Sequence, residues 1–293
     1  MRNLFEHTSA SWVKYSDYEY KEKNGILYLM PTEDAVPKPY DPMKDAKALV
    51  IKAMEIGLMC FKKAPEAEIQ TAIRGFACEY GLLGLMTALP TTAKFIEYEK
   101  VYFPKNEFIR AESMDTQEYL DCFFPFQKPE FRKAGTESEW NEDDNTMMAL
   151  IMTHQAYPQS AVMSFMRYYG ERFDWLKAVF RSWCFQFMTT FLYYNDLEEY
   201  GEDAINREAY RLGIAAFSGN APTYHIELRD HPVLVWDFHS LLLAVQMLFT
   251  LMVTDEATPL RMCRNCQKAF IAKRKDSVFC SAQCRETHNA KRQ

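Results

Sequence analysis

Apolar positions recur at two periods along this chain. Near the N-terminus Tyr18 and Tyr20 alternate with charged residues, Asn24-Gly25 follows, and an apolar run resumes from Ile26 to Met30. A period of two belongs to a half-buried strand, and Asn-Gly is the favoured two-residue turn because both of its positions must accept positive φ. The pattern predicts a β-hairpin near residues 16–30. Pro31 to Pro42 holds four prolines and predicts a connecting loop. It ends in Asp41-Pro42, a helix N-cap followed by the residue best suited to the first helical position.

Helical spacing then takes over. Ala46, Leu49, Val50, Ala53, Gly57, Cys60 and Phe61 fall three and four apart on one face, which predicts a helix ending near Lys62-Lys63. Pro65-Glu66 opens a second, whose stripe of Ile69, Ile73, Phe76, Ala77, Tyr80 and Leu83 runs into Gly81 and Gly84, so two antiparallel helices are expected. Phe95 to Phe103 is a candidate strand and Thr116 to Phe124 a short helix. Pro129 to Asn145 is dense in Glu and Asp; without the alternating ligands and central glycine of a calcium loop it is expected to be solvated and exposed. Thr146 to Tyr194 predicts one or two core helices and Asp203 to Phe217 another. His231-Pro232 introduces a last long helix over Leu234 to Thr254, and Thr258-Pro259 breaks the chain. The resulting fold class is α+β: a predominantly α-helical body with an N-terminal hairpin over residues 1–257, and a small C-terminal module over 258–293.

Composition adds what the pattern leaves open. The 48% hydrophobic and 15% aromatic content is ample for a core. The first twelve residues are mixed and polar, unlike a secretory leader. The longest apolar run, Leu241 to Val253, contains Gln246 and falls short of the roughly 20 residues that span a bilayer, so a buried helix and no membrane association are expected. Four of the eight cysteines are scattered (Cys60, Cys78, Cys122, Cys184) and four are packed close to the C-terminus. That split predicts free core thiols plus a metal site in a reducing cytoplasm.

The packed four are Cys263 and Cys266, then thirteen residues, then Cys280 and Cys284. Zinc takes four soft ligands in a tetrahedron, and thiolates two or three residues apart let one tight turn supply two corners. The second pair is placed at the start of a terminal helix that Ser281 can cap, since a residue and its fourth neighbour share a helical face. One Zn2+ ion is expected, and four thiolates leave no open position, so its role is structural. Phe270, Ile271, Val278 and Phe279 can form a mini-core beside it. His288 is an alternative ligand, but four cysteines already complete the shell.

Charge is split in the same way. Residues 261–293 carry nine Lys and Arg against two acids, whereas the preceding 260 residues carry 25 against 38. A basic tail on an acidic body points to an anionic partner, nucleic acid being the commonest. Arg264, Lys268, Lys273, Arg274, Lys275 and Arg285 are the candidate contacts, of a kind that neutralises phosphates without reading sequence. The competing account is that these charges offset a four-thiolate centre and dock the module on the acidic body.

The stretch Leu260-Arg-Met-Cys-Arg-Asn-Cys266, then Phe270, then Phe279-Cys-Ser-Ala-Gln-Cys284-Arg285 resembles the finger of the CGNR-type zinc-finger proteins, in which a mainly helical ABATE domain precedes a C-terminal zinc finger. The helical segment leading into it also follows the family's order. The chain departs after the last cysteine, where the family has Gly-Asn-Arg and Arg285-Glu286-Thr287 stands here. The resemblance implies a bacterial, stress-related transcription regulator whose finger contacts DNA.

No His-Glu-x-x-His, phosphate-binding glycine loop or Gly-x-Ser-x-Gly occurs, so no enzymatic activity is expected. His225, Glu227, His231, Asp237 and His239 gather possible ligands within fifteen residues, but such groups usually serve caps, turns and core contacts. The expectation is a cytoplasmic regulator whose body senses an effector or forms a homodimer and whose finger binds nucleic acid. The alternative is a zinc-stabilised protein–protein interaction module that never meets DNA.

Overall fold

Asn24 and Gly25 both take left-handed backbone, with φ of 53° and 75°, the conformation that a two-residue hairpin turn demands. The turn joins β3 (Tyr18–Lys23) to β4 (Ile26–Pro31) in the register Lys23 opposite Ile26, as the sequence predicts. The computed structural model describes residues 8–10, 12–88, 98–103, 106, 108–127, 166–199, 208, 211–212, 223–238, 240–274 and 276–291. Residues 146–165 of the predicted 146–194 helices, most of the predicted 203–217 helix, the acidic 129–145 stretch, Lys275 and His239 lie outside them.

The described chain is mixed α+β. β1 (Thr8–Ala10) runs parallel to β10 (Pro232–Asp237), which pairs antiparallel with β9 (Thr223–Leu228). β2 (Trp12–Tyr15) pairs with β5 (Pro37–Tyr40), and β8 (Glu171–Arg172) extends the hairpin at β4. β6 (Lys100–Tyr102) and β7 (Ser113–Asp115) form a further two-stranded sheet. The prediction of a plain loop over Pro31 to Pro42 is corrected by β5, whose prolines are tolerated because it pairs on one side only.

The helices are α1 (Ala46–Phe61), α2 (Glu66–Tyr80), the single turn α3 (Leu85–Ala88), α4 (Thr116–Phe123), α5 (Phe173–Glu199) and α6 (Leu241–Thr254). The stripe predicted for α1 is buried at Leu49, Val50, Ala53, Gly57 and Cys60, whereas Phe61 lies at the surface. α2 buries Ile69, Ile73, Phe76, Ala77 and Tyr80, as predicted. α1 packs along α5 and needs Gly57 to do so: a Cβ there would lie 2.5 Å from the Phe180 carbonyl oxygen and 2.6 Å from Cys184 Cβ. Phe76 and Phe180 meet edge-on at 5.4 Å in the same core.

Two boundaries differ from expectation. Asp41 does not cap α1, because its Oδ1 accepts the amides of Met43 at 2.9 Å and Ala10 at 3.1 Å and so holds a turn that delays the helix to Ala46. The long helix predicted from Leu234 is instead strand β10 followed by α6. Val233 and Val235 are β-branched and buried alternately, and Ser240 caps the helix by accepting the Leu243 amide at 3.1 Å. Among the described residues no helix is long and apolar enough to cross a membrane. All eight cysteines are free thiols, with Cys60 and Cys184 buried and Cys78 and Cys122 half-buried.

Candidate metal centre

Pro259 breaks the chain after α6, and Leu260, Met262 and Ala272 turn inward, each buried. They belong to β11 (Leu260–Met262) and to the residue after β12 (Ala269–Ile271), an antiparallel pair with Leu260 opposite Ile271 and Met262 opposite Ala269. Ala272 N donates to Pro259 O at 2.9 Å and closes the ladder. Leu260 and Met262 are part of the body's core, Ala269 and Ile271 pack against it, and the two strands lie on α1, α5 and α6. Ile271 therefore serves the body rather than the expected mini-core.

Between the strands the chain folds back within six residues. Cys263 O accepts the Gln267 amide and Cys263 N donates to Lys268 O, both at 2.9 Å, and Gln267 takes a φ of 60° to complete the turn. This tight turn presents Cys263 and Cys266 to the same point. The second pair arrives by a different route. Arg264 N donates to Val278 O at 3.0 Å, which brings the 277–281 segment alongside, and α7 (Ala282–Ala290) starts there. Ser281 is its N-cap, with Oγ accepting the Cys284 amide at 3.1 Å, as the sequence predicts.

The donor atoms of Cys263, Cys266, Cys280 and Cys284 all lie within 4.8 Å of one another. Cys266 Sγ and Cys280 Sγ are 3.7 Å apart, and Cys280 Sγ and Cys284 Sγ 3.5 Å. Thiolates bound tetrahedrally at the zinc–sulfur length of about 2.3 Å would stand about 3.8 Å apart, so the arrangement fits one four-coordinate ion. A disulfide would require about 2.0 Å.

Electrostatics argue the same way. Hydrogen bonds from Ser281 and Asn265 hold the Cys284 thiol down at about 7. Desolvation among its sulfur neighbours pushes the Cys280 thiol up to about 12. Cys263 is likewise held down and Cys266 pushed up, and a dication at the centre would favour the thiolate form of all four. Asn265 is a contributor that sequence reasoning missed; its place inside the Cys-x-x-Cys turn was the available signal.

Among the described residues this is the one cluster of three or more such donors. His288 stays outside it, its ring 5.1 Å from that of Phe279. Among the described residues the group around His225 forms no such cluster: Glu227 is paired with Arg229 at 2.9 Å on an exposed hairpin, and His231 sits in its turn. His239 and the Asp237 side chain lie outside the described residues.

The cysteines differ in access. Cys263 is 1% exposed, Cys266 and Cys284 are half-buried, and Cys280 faces solvent. The module therefore lies on the body by its strand side and turns its ligand loops outward. Lys268, Lys273, Arg274 and Arg285 are exposed there and make no ion pair among the described residues, while Arg264 is half-buried. No family model, no curated protein and no solved structure matches this chain.

Proposed function

We propose that residues 258–293 form a structural zinc module that presents a cationic surface to the phosphate backbone of a nucleic acid, within a cytoplasmic regulatory protein. The carrying observation is the division of the module into an apolar strand side, seated on the body, and an outer side with Lys268, Lys273, Arg274 and Arg285 exposed. Zinc is the ion that four thiolates at this spacing suit, and a closed shell gives it a scaffolding task rather than a catalytic one. The resemblance of the cysteine segment to CGNR-type fingers supports the same reading.

Phosphate neutralisation releases counterions, so binding should weaken linearly with the logarithm of salt, by roughly 0.9 per contacted phosphate. An electrophoretic titration of the zinc-loaded chain against duplex DNA tests this. Lys273, Arg274 and Lys275 changed together to alanine should weaken binding and flatten the salt slope. Binding that ignores these changes, or none at low salt, would sink the nucleic-acid reading.

A second reading has its own observation. The packing of β11 and β12 on α1, α5 and α6 makes the module part of the body's architecture, which suits a zinc-stabilised protein-interaction surface that never meets DNA.

A further inference from the structure

β9 is an edge strand among the described residues, since β10 lies between it and β1. Its alternate side chains Tyr224, Ile226 and Leu228 are 67%, 74% and 80% exposed. An open edge bearing an apolar stripe is a template for pairing with another strand. The direction of its unpaired groups can be worked out. Arg229 N donates to His231 O at 3.2 Å, so Arg229 is of the hydrogen-bonded kind with respect to β10. In an antiparallel ladder that kind alternates, which assigns Glu227 and His225 to it in the register Glu227 opposite Val233 and His225 opposite Val235. Tyr224, Ile226 and Leu228 therefore aim their N–H and C=O groups at the free edge.

We propose that this edge receives a second copy of the chain, β9 against β9 in antiparallel fashion, with the two-fold axis at Ile226. A two-fold interface must be self-complementary, residue for residue, and this strand is. With Ile226 facing itself, Tyr224 stands opposite Leu228 of the second copy, and both are of the kind whose backbone groups point outward. Each stripe residue thereby gains an apolar cross-strand neighbour on its own face. On the other face the same register sets His225 opposite Glu227, a donor-bearing ring against a carboxylate acceptor. Glu227 already holds Arg229 at 2.9 Å on the near side, so hydrogen-bond donors flank the carboxylate from both directions. Pro232, which has no N–H to give, lies on β10 opposite Leu228 and costs the new ladder nothing. The three-stranded sheet becomes six-stranded.

Analytical ultracentrifugation of the full chain over a wide concentration range tests the interface. The expected result is a reversible monomer–dimer equilibrium. Ile226→Lys places two like charges at the axis and should weaken the dimer about tenfold or more. Ile226 and His225 are exposed and Glu227 is half-buried, and circular dichroism checks that the variants stay folded. The register has its own control. His225→Glu should weaken the dimer, and adding Glu227→His should restore it by exchanging the two sides. A chain that stays monomeric at every concentration, a dimer indifferent to Ile226→Lys, or a swap that fails to restore association would overturn the proposal. So would a monomer that instead sediments with phosphatidylglycerol vesicles, which would give the stripe to a membrane surface.

Discussion

The amide of Leu83 donates to Oε2 of Glu171 at 2.9 Å, across 88 residues of chain. Oε1 of the same carboxyl accepts the Leu85 amide and the Tyr169 hydroxyl, each at 2.7 Å. Glu171 is 2% exposed and ties the segment between α2 and α3 to β8. Burial pushes its carboxyl above the usual carboxylate range, against the donors that lower it.

Glu171→Gln turns an NH2 group toward donors, and leaving buried donors unpaired costs about 1–3 kcal/mol each. The variant should therefore unfold at lower urea concentration. The raised value also fixes a pH dependence. The folded chain holds this proton more tightly than the unfolded one, so the contribution is fully present below the unfolded value of 4.5 and is lost as pH rises through the folded value. Urea titrations from acid to neutral pH should show the gap between wild type and Glu171→Gln narrowing as pH rises. A constant gap would contradict it.

Gly57→Ala sets two effects against each other. Alanine gains about 1 kcal/mol of helix propensity over glycine, but the new methyl lies within 2.6 Å of Phe180 O and Cys184 Cβ. Forcing α1 from α5 costs typically 1–3 kcal/mol and strains backbone rather than a side-chain tip. A net loss of up to about 2 kcal/mol is expected in thermal unfolding. Gly75→Ala, with open space around its Cβ position, should be stabilising by up to about 1 kcal/mol and serves as the control.

Elemental analysis should find one zinc ion per chain. Its removal by a high-affinity chelator should destabilise more than the last thirty-odd residues, because Leu260 and Met262 sit in the body's core. Zinc binding is worth on the order of 10 kcal/mol in small modules, enough for the body's own melting temperature to fall with it. Lowering the pH should release the ion, since each ligand must shed a proton to bind. A body whose melting is indifferent to chelation would separate the two parts.

Ser281→Ala removes the cap of α7 and the acceptor for the Cys284 amide at 3.1 Å. N-cap loss costs about 1 kcal/mol. Since α7 delivers Cys284, zinc affinity should fall by about fivefold, read by competition with a chromophoric chelator. Ser281→Asp should restore much of it, as another good cap.

Local chemistry made parts of this molecule legible in the sequence. Asn24-Gly25, the α1 and α2 stripes, Ser281 and the cysteine spacing each act within a few residues, so the chain's text carries them. Leu234 to Asp237 reads as helix in the sequence because an apolar run beside a long apolar helix has no clear period. Pro232, two β-branched valines and Ser240 were the available corrections. Asp41 reads as a cap from its neighbours alone, and only the fold reveals the Ala10 amide that claims it. The seating of β11 on α5 and α6, and of β12 on α1, has no local signature.

Met262 belongs to the core and Cys263, the next residue, to the sulfur cluster. No joint separates the two. The turn that carries Cys263, Cys266 and the exposed Lys268 is therefore oriented by the packing of β11 on the body, and a partner of Lys268 would approach along the bearing the body sets. The distance from that turn to anything else on the body is correspondingly a ruler rather than a tether.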